Sequence, residues 1–255
     1  MEEAATGVDA GARSGLARGD AMTRRTPLYI VGSPRPRVGK TLVARLLIEF
    51  FHSDLRSVLA FDLNPNDPAL ADYLPGWTEV ADVRDTKGQI ALFDRLIIDD
   101  ETPKVVDLGP ESFQSFFAVM DEIGFVEEAR RRSVEPVILF LIDPDRLSMR
   151  TYADLQQRFH DLALVPVNND YVTKGYPHRE AFPSRDAASV QLRIPMLPPF
   201  LKAVIDKPTF SFVSFLNTPA DTPTELHAWI KRIFVEFREL ELRLLLDKLR
   251  SSLQT

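Results

Sequence analysis

The sequence contains no cysteine, which excludes disulfide bonds, thiolate metal sites and cysteine nucleophiles. It contains no run of about 18 apolar residues, so it has no candidate transmembrane helix. Basic residues are outnumbered, 31 against 37 acidic ones, and the net charge of −6 argues against a protein that coats nucleic acid electrostatically. No apolar signal-peptide core follows the first residues. These absences lead us to expect a soluble, cytoplasmic protein.

Glycine is scarce as well. The chain has 11 glycines, where average usage gives about 18 at a length of 255 residues. Four of the 11 lie before residue 20, and proline is over-represented with 19 residues. Any glycine-rich loop that binds a ligand must therefore be built with little glycine.

The composition changes along the chain. Residues 1–26 are rich in Ala, Gly, Arg and Ser and have no hydrophobic period, so we expect a disordered N-terminal extension. Met22 fits a translation start as well as Met1 does. Hydrophobic residues make up 45% of the chain, enough for a sizeable core, and we expect residues 27–255 to form one domain.

Short apolar segments alternate with helical patterns from residue 28 onward. The predicted strands are 28–31, 57–61, 105–106, 136–142, 162–167 and, as a sixth, 189–194. The clearest predicted helices cover about 40–51 and about 113–132. Continuous apolar strands alternating with helices indicate a mainly parallel sheet covered on both faces. The predicted fold class is therefore α/β and doubly wound.

A C-terminal helix is predicted over residues 224–253. Its apolar residues are spaced alternately four and three apart: Leu226, Ile230, Ile233, Phe237, Leu240 and Leu244. This stripe favours packing on the sheet, and it also fits a dimerisation or partner helix. A membrane-surface helix is disfavoured by nearby acidic residues, Glu236, Glu239 and Glu241.

The segment after the first strand, residues 32–41, reads GSPRPRVGKT. A Gly-Lys-Thr that closes a strand-to-helix loop is typical of phosphate sites, because backbone N–H groups and the helix N-terminus hold the anion. Lys40 would reach the outer phosphates and Thr41 would meet Mg²⁺. The strict pattern GxxxxGK[ST] needs glycine where this chain has Pro34, and a plain surface turn is the alternative interpretation.

Two carboxylates follow later strands. Asp62 follows the apolar segment SVLAF, and Asp107 follows a Val-Val pair. Because the carboxyl ends of parallel strands form the ligand edge of an open sheet, we expect both near the loop, where they would orient Mg²⁺. Each carboxylate alone fits a strand-end turn. The Gly-Lys-Thr loop, Asp62 and Asp107 in this order, each after a strand, together predict a phosphate site.

These motifs resemble those of the ParA/MinD family of deviant Walker A P-loop ATPases, in the SIMIBI class. The family's loop, KGGxGKT, is similar to residues 35–41, RPRVGKT. Its Asp-x-Asp-Pro motif looks like residues 62–65, DLNP, and its Asp-x-x-Pro-Ser segment is similar to residues 107–112, DLGPES. Two weaker matches, residues 167–169 (VNN) and 194–195 (IP), extend the resemblance to about residues 28–206.

The resemblance implies a switch that binds ATP and Mg²⁺, dimerises face to face around nucleotide, and positions or partitions a cellular cargo. Carried over by position, the cofactor-binding residues are Gly32, Arg37, Val38, Gly39, Lys40, Thr41, Leu42 and Asn168. Among these, Asn168 would read adenine. The implied metal residues are Thr41, Asp62 and Asp107, and the implied catalytic residues are Lys40, Arg35 and Asp62.

The chain departs from the family pattern in the loop and after the second strand. The family's signature lysine aligns with Arg35, whose guanidinium keeps the charge needed to contact a partner's phosphates. The second aspartate of Asp-x-Asp-Pro is Asn64, which cannot accept a proton, so we expect ATP hydrolysis to be slow or absent. Pro34 and Pro36 supply no N–H, which removes two possible phosphate donors.

Two other classes of function stay open. One is a degenerate interaction module that has lost nucleotide, and the other is an ATP-dependent small-molecule synthetase of the related biotin- and cobalamin-pathway group. The expected partners are a second copy of the chain, giving a homodimer, and a protein that the sequence does not identify. Nonspecific DNA and a membrane surface stay open as contacts, although no feature of the sequence supports either.

Overall fold

Seven strands form one sheet in the computed structural model, which describes residues 25–174, 191–219 and 224–252. The strands are β1 (Thr26–Gly32), β2 (Leu59–Asp62), β3 (Thr78–Val80), β4 (Lys104–Asp107), β5 (Val134–Leu141), β6 (Ala163–Asn169) and β7 (Leu192–Ile194). Their spatial order is β3-β2-β4-β1-β5-β6-β7, and every adjacent pair is parallel. The predicted α/β class with a parallel sheet is confirmed.

Helices cover both faces of this sheet. They are α1 (Lys40–Ser53), α2 (Ala69–Tyr73), α3 (Thr86–Leu96), α4 (Ser112–Glu122), α5 (Phe125–Arg131), α6 (Arg146–Arg158), α7 (Asp170–Thr173), α8 (Pro199–Ile205), α9 (Phe212–Asn217) and α10 (Glu225–Ser252). Leu28 and Ile30 of β1 pack in a core cluster with residues of α3 to α6, whereas Tyr29 and Val31 pack with α1, α9 and α10. Side chains alternate along a strand, so a central strand that is buried on both faces reads as a continuous apolar run.

The C-terminal helix α10 packs against the same face of the sheet as α1. Five residues of the predicted stripe are buried there: Leu226, Ile230, Ile233, Phe237 and Leu240. The ring of Phe50 on α1 lies 5.6 Å from the ring of Phe237 and 5.6 Å from that of Phe234. The stripe therefore belongs to the core, as its first interpretation predicts.

Three local predictions need correction. The helix predicted over 113–132 is two helices, because Gly124 adopts a left-handed conformation (φ 60°) between α4 and α5. Strand β3 was not predicted, since it is a three-residue edge strand whose side chains are largely exposed. Thr26, expected in the disordered extension, begins β1, and its hydroxyl donates to Asp99 at 2.7 Å.

Two further predictions lie partly outside the described residues. Residues 1–24 of the expected extension and residues 189–190 of the sixth predicted strand belong to this group. Within the described ranges, no helix is both long enough and apolar enough to cross a membrane.

Candidate phosphate- and metal-binding site

A cavity of about 490 Å³ lies at the carboxyl ends of the strands. Its walls come from the loop after β1, the loops after β2 and β4, the end of β6 with α7, the segment after β7, and helices α8 and α10. The first three loops carry the motifs singled out in the sequence. The sheet therefore brings together segments that are up to about 190 residues apart in the chain.

The loop between β1 and α1 ends at a helix N-terminus without a side-chain cap. Gly39 is the N-cap of α1 with φ 99°, and no side chain caps this helix end. The first backbone N–H groups of a helix have no partner within the helix, and the helix dipole adds a partial positive charge there. A Cβ on Gly39 would lie 2.6 Å from Nδ2 of Asn169, so both the positive φ and the close approach require glycine.

Lys40 is held against its own loop. Its side chain is buried, and Nζ donates to the carbonyl oxygen of Arg35 at 2.7 Å. Burial lowers the pKa of Lys40, and the nearby carboxylate of Asp107 opposes this effect. An ammonium bonded to one neutral carbonyl is well placed to exchange that partner for an anion.

Thr41 and Asp107 meet at the centre of the site. The Thr41 hydroxyl donates to Oδ2 of Asp107 at 2.7 Å, while Oδ1 of Asp107 is buried without any partner among the described residues. Burial raises the pKa of Asp107 to about 7, against the effect of the Thr41 hydrogen bond. A buried oxygen without a partner is costly, so this atom points to a cation that would complete it.

These residues fit Mg²⁺ rather than a cation held by protein ligands alone. The described residues contain no group of three or more His, Cys, Asp or Glu side chains arranged around a common point. Mg²⁺ usually binds one or two carboxylates and completes its shell with water and phosphate oxygens. The Thr41 hydroxyl and the free Asp107 oxygen provide that kind of partial ligand set.

Asp62 lies at the cavity wall, but backbone groups occupy its carboxylate. Oδ1 accepts from the N–H of Asn64 at 3.0 Å, and Oδ2 accepts from the N–H groups of Leu70 at 2.8 Å and Ala71 at 3.3 Å. Burial raises the pKa of Asp62, and these backbone hydrogen bonds oppose the shift. The observed contacts make Asp62 the residue that shapes the loop after β2. Oδ1 accepts only one of these three hydrogen bonds and keeps a lone pair, so the catalytic and metal roles expected for Asp62 stay predictions.

The loops after β2 and β4 touch each other directly. A Cβ on Gly109 would lie 2.9 Å from Cβ of Asn64 and 3.0 Å from the carbonyl oxygen of Leu63. The hydroxyl of Ser112, at the start of α4, donates to the same Leu63 carbonyl. The two loops therefore form one continuous wall, and a displacement of either would move the other.

The other predicted site residues divide into two groups. Arg37, Leu42 and the loop end at Gly39–Thr41 line the cavity. Gly32 and Val38 support the site from behind: a Cβ on Gly32 would lie 3.1 Å from the Phe113 ring, and Val38 is buried. Arg35 is not among the lining residues; its side chain is 44% exposed and lies 3.9 Å from Asp145.

The two asparagines at the end of β6 lie in different surroundings. Asn169, and not Asn168, borders the cavity, because successive side chains of a strand point to opposite faces. Nδ2 of Asn169 donates to the Val38 carbonyl at 3.0 Å. Oδ1 of Asn168 instead accepts from the Thr173 hydroxyl at 2.7 Å. The structure thus gives no support to Asn168 as the residue that reads adenine.

Sequence reasoning missed the part of the cavity wall that is formed by α7, the segment after β7, α8 and α10. Residues there are Tyr171, Val172, Leu197, Lys202, Asp206 and Trp229. Trp229 of α10 holds the segment after β7, because its indole N–H donates to the carbonyl of Pro195 at 2.8 Å. Only the neighbouring Ile-Pro pair at 194–195 gave a sequence signal near this wall, since the other residues lie in helices α7, α8 and α10 or in the segment after β7, whose positions depend on tertiary packing.

No protein-family model and no curated protein sequence matches this chain. Among the solved structures that match, one chain of a MinC:MinD cell division protein complex from Aquifex aeolicus has a TM-score of 0.41 and 14% sequence identity. The alignment covers 85% of this chain and 96% of that chain. A similarity at this level does not identify a function. The functional conclusion therefore depends on the residues of the site.

Proposed function

We propose that this chain binds ATP with Mg²⁺ in the cavity and acts as a nucleotide-dependent switch with slow hydrolysis. One observation carries the proposal: Lys40, Thr41 and Asp107 converge at the uncapped N-terminus of α1, and one buried oxygen of Asp107 has no partner in the part of the chain that the structure describes. A cation, a hydroxyl, a carboxylate and free helix N–H groups at one point are what a metal-bound phosphate chain requires.

Each residue then has a distinct role. Lys40 exchanges the Arg35 carbonyl for the outer phosphates, and the N–H groups at the start of α1 bind the inner ones. Thr41 and Asp107 would hold Mg²⁺, which when bound neutralises charge on the phosphates. Leu42, Val172 and Pro195 line the cavity and offer an apolar surface for the base.

Slow hydrolysis follows from the carboxylates around the site. The position expected to assist the attacking water carries Asn64, whose Nδ2 donates to the Asp67 carbonyl at 2.8 Å. Asp62 already accepts three backbone N–H groups. The amide of Asn64 cannot take a proton from water as a carboxylate would, so ATP should bind but be hydrolysed slowly.

The contact between Gly109 and Asn64 suits a switch, because phosphates bound beside both loops would bias their arrangement together. Arg35 lies outside the cavity with only a long contact to Asp145, and so could reach the nucleotide of a second copy. We infer from the family resemblance that such a homodimer would position or partition a cargo.

Calorimetry with ATP and ADP in the presence of Mg²⁺ tests the binding proposal. Lys40→Ala should abolish measurable ATP binding, whereas Lys87→Ala, an exposed lysine on α3, should not change it. Absence of ATP binding by the wild-type chain would contradict the proposal and favour the degenerate interaction module. Release of ADP together with a new small-molecule product would favour the synthetase class instead.

The oligomeric state, measured in parallel by light scattering, tests the switch. We expect ATP, but not ADP, to shift the wild-type chain from monomer to dimer. Arg35→Ala should bind ATP yet remain monomeric. If Arg35→Ala dimerises with ATP as the wild type does, Arg35 does not contact the nucleotide of the second copy.

A further inference from the structure

Arg37 adopts a conformation that is unfavourable for its residue type. Its φ is 60°, in the left-handed region, where a Cβ is disfavoured and glycine is the usual choice. The residue forms the turn immediately before Val38 and Gly39, so the loop keeps a glycine-like shape with an arginine in it. Strain of this kind persists where the surroundings impose it, and it is frequent at ligand sites.

The side chain of Arg37 is available for a ligand. It is exposed and lines the cavity together with Lys40 and Thr41. Among the described residues, Arg37 forms no ion pair and no side-chain hydrogen bond, whereas Arg35 lies near Asp145. An unpaired cation in a strained turn at the mouth of the cavity has no apparent structural purpose.

The same loop lacks donors that a phosphate site normally supplies. Pro34 and Pro36 have no N–H, so two of the backbone groups around the turn cannot bind an anion. A guanidinium carries five N–H donors in a planar fork that matches phosphate oxygens in pairs. Arg37 therefore offers, from its side chain, the chemistry that the backbone of this loop has lost.

We propose that the Arg37 guanidinium binds the phosphate chain of the nucleotide held in the same subunit, in place of the N–H donors missing at Pro34 and Pro36. This inference rests on the proposed function, since it names a further residue of the same site. It also explains why the turn contains arginine despite the unfavourable φ: glycine would relieve the strain but provide no phosphate donor.

The substitution Arg37→Gly removes the guanidinium and also relieves the backbone strain. A loss of ATP binding by this variant therefore cannot be attributed to a destabilised fold. ATP binding should weaken roughly 10- to 100-fold, the range expected for hydrogen bonds to a charged group. Adenosine binding, which involves no phosphate, should stay within about twofold of the wild type. The melting temperature without ligand should not fall. Arg37→Lys should lose less ATP affinity than Arg37→Gly, because the positive charge remains.

A matched control is Ser133→Gly. Ser133 also has a left-handed φ, of 57°, but it lies at the amino-terminal end of β5, whereas the cavity lies at the carboxyl ends of the strands. It should leave ATP binding unchanged. If the wild-type chain binds ATP and Arg37→Gly binds it equally well or better, the role of Arg37 is wrong while the proposed function stands. Equal losses for ATP and adenosine would also overturn that role, and a wild-type chain that binds no ATP would overturn both proposals.

Discussion

Replacing Asp107 by asparagine should abolish a loss of stability that the wild-type protein undergoes as the pH rises, and it would remove a ligand of the proposed metal site. Burial raises the pKa of this carboxyl from 3.8 to about 7. The folded protein therefore binds more protons than the unfolded chain between about pH 4 and pH 7, and its stability falls as the pH rises through that window. With about 1.36 kcal/mol for each pH unit, the ionised carboxylate costs the folded state up to about 4 kcal/mol.

Asp107→Asn removes this titration, and the amide oxygen can still accept the Thr41 hydroxyl. The free energy of unfolding of the variant, minus that of the wild type, should increase by about 2.5 kcal/mol between pH 5 and pH 8. Any constant packing cost of the amide cancels in this difference between two pH values. The trade of stability for ligand binding is common at functional sites.

Urea unfolding of both proteins at several pH values, without Mg²⁺ and nucleotide, measures the difference. Asp94→Asn, on the exposed side of α3, removes the same charge away from the cavity and serves as the control. If the difference in unfolding free energy between variant and wild type is the same at pH 5 and pH 8, burial does not raise the pKa of Asp107. The metal-site assignment would then lose its main physical support.

Three further substitutions test separate parts of the structure. Gly109→Ala should force apart the loops after β2 and β4 and cost about 1–3 kcal/mol in urea unfolding, and an unchanged midpoint would contradict their contact. Arg45→Ala should cost about 3–5 kcal/mol in urea unfolding, because it leaves Glu49 buried without its cation and removes the donors to the carbonyls of Ile205 and Phe210; an unchanged midpoint would contradict this. Asn64→Asp should raise steady-state ATP turnover at least about tenfold, and an unaltered rate would show that the amide does not limit hydrolysis.

Much of the fold was readable from local patterns. The central strands β1 and β5 are continuous apolar runs that begin or end within two residues of the predicted bounds. Helix α1 could be placed because its start is marked by Gly39-Lys40-Thr41. The three-residue strand β3 is too short and too exposed to produce a hydrophobic period, and it forms only because β2 offers a free edge.

The candidate site was readable only in part. Lys40, Thr41 and Asp107 were predictable, because strand ends of a parallel sheet share one edge. The sequence did not indicate that Asn169 rather than Asn168 lines the cavity, since a shift of one residue along β6 exchanges the two faces of the sheet. The wall formed by Trp229 and Leu197 had no local signal.

By itself, the sequence determined that the chain folds around a parallel sheet and that a Gly-Lys-Thr turn begins its first helix, because both depend on neighbouring residues. Its shortage of glycine located a departure at Pro34, Pro36 and Arg37. Only the tertiary structure showed the surroundings of that departure: the turn keeps a left-handed residue, and among the described residues neither the Arg37 side chain nor the buried Oδ1 of Asp107 has a hydrogen-bond partner. These are properties of burial and mutual position, which arise only when distant segments pack together.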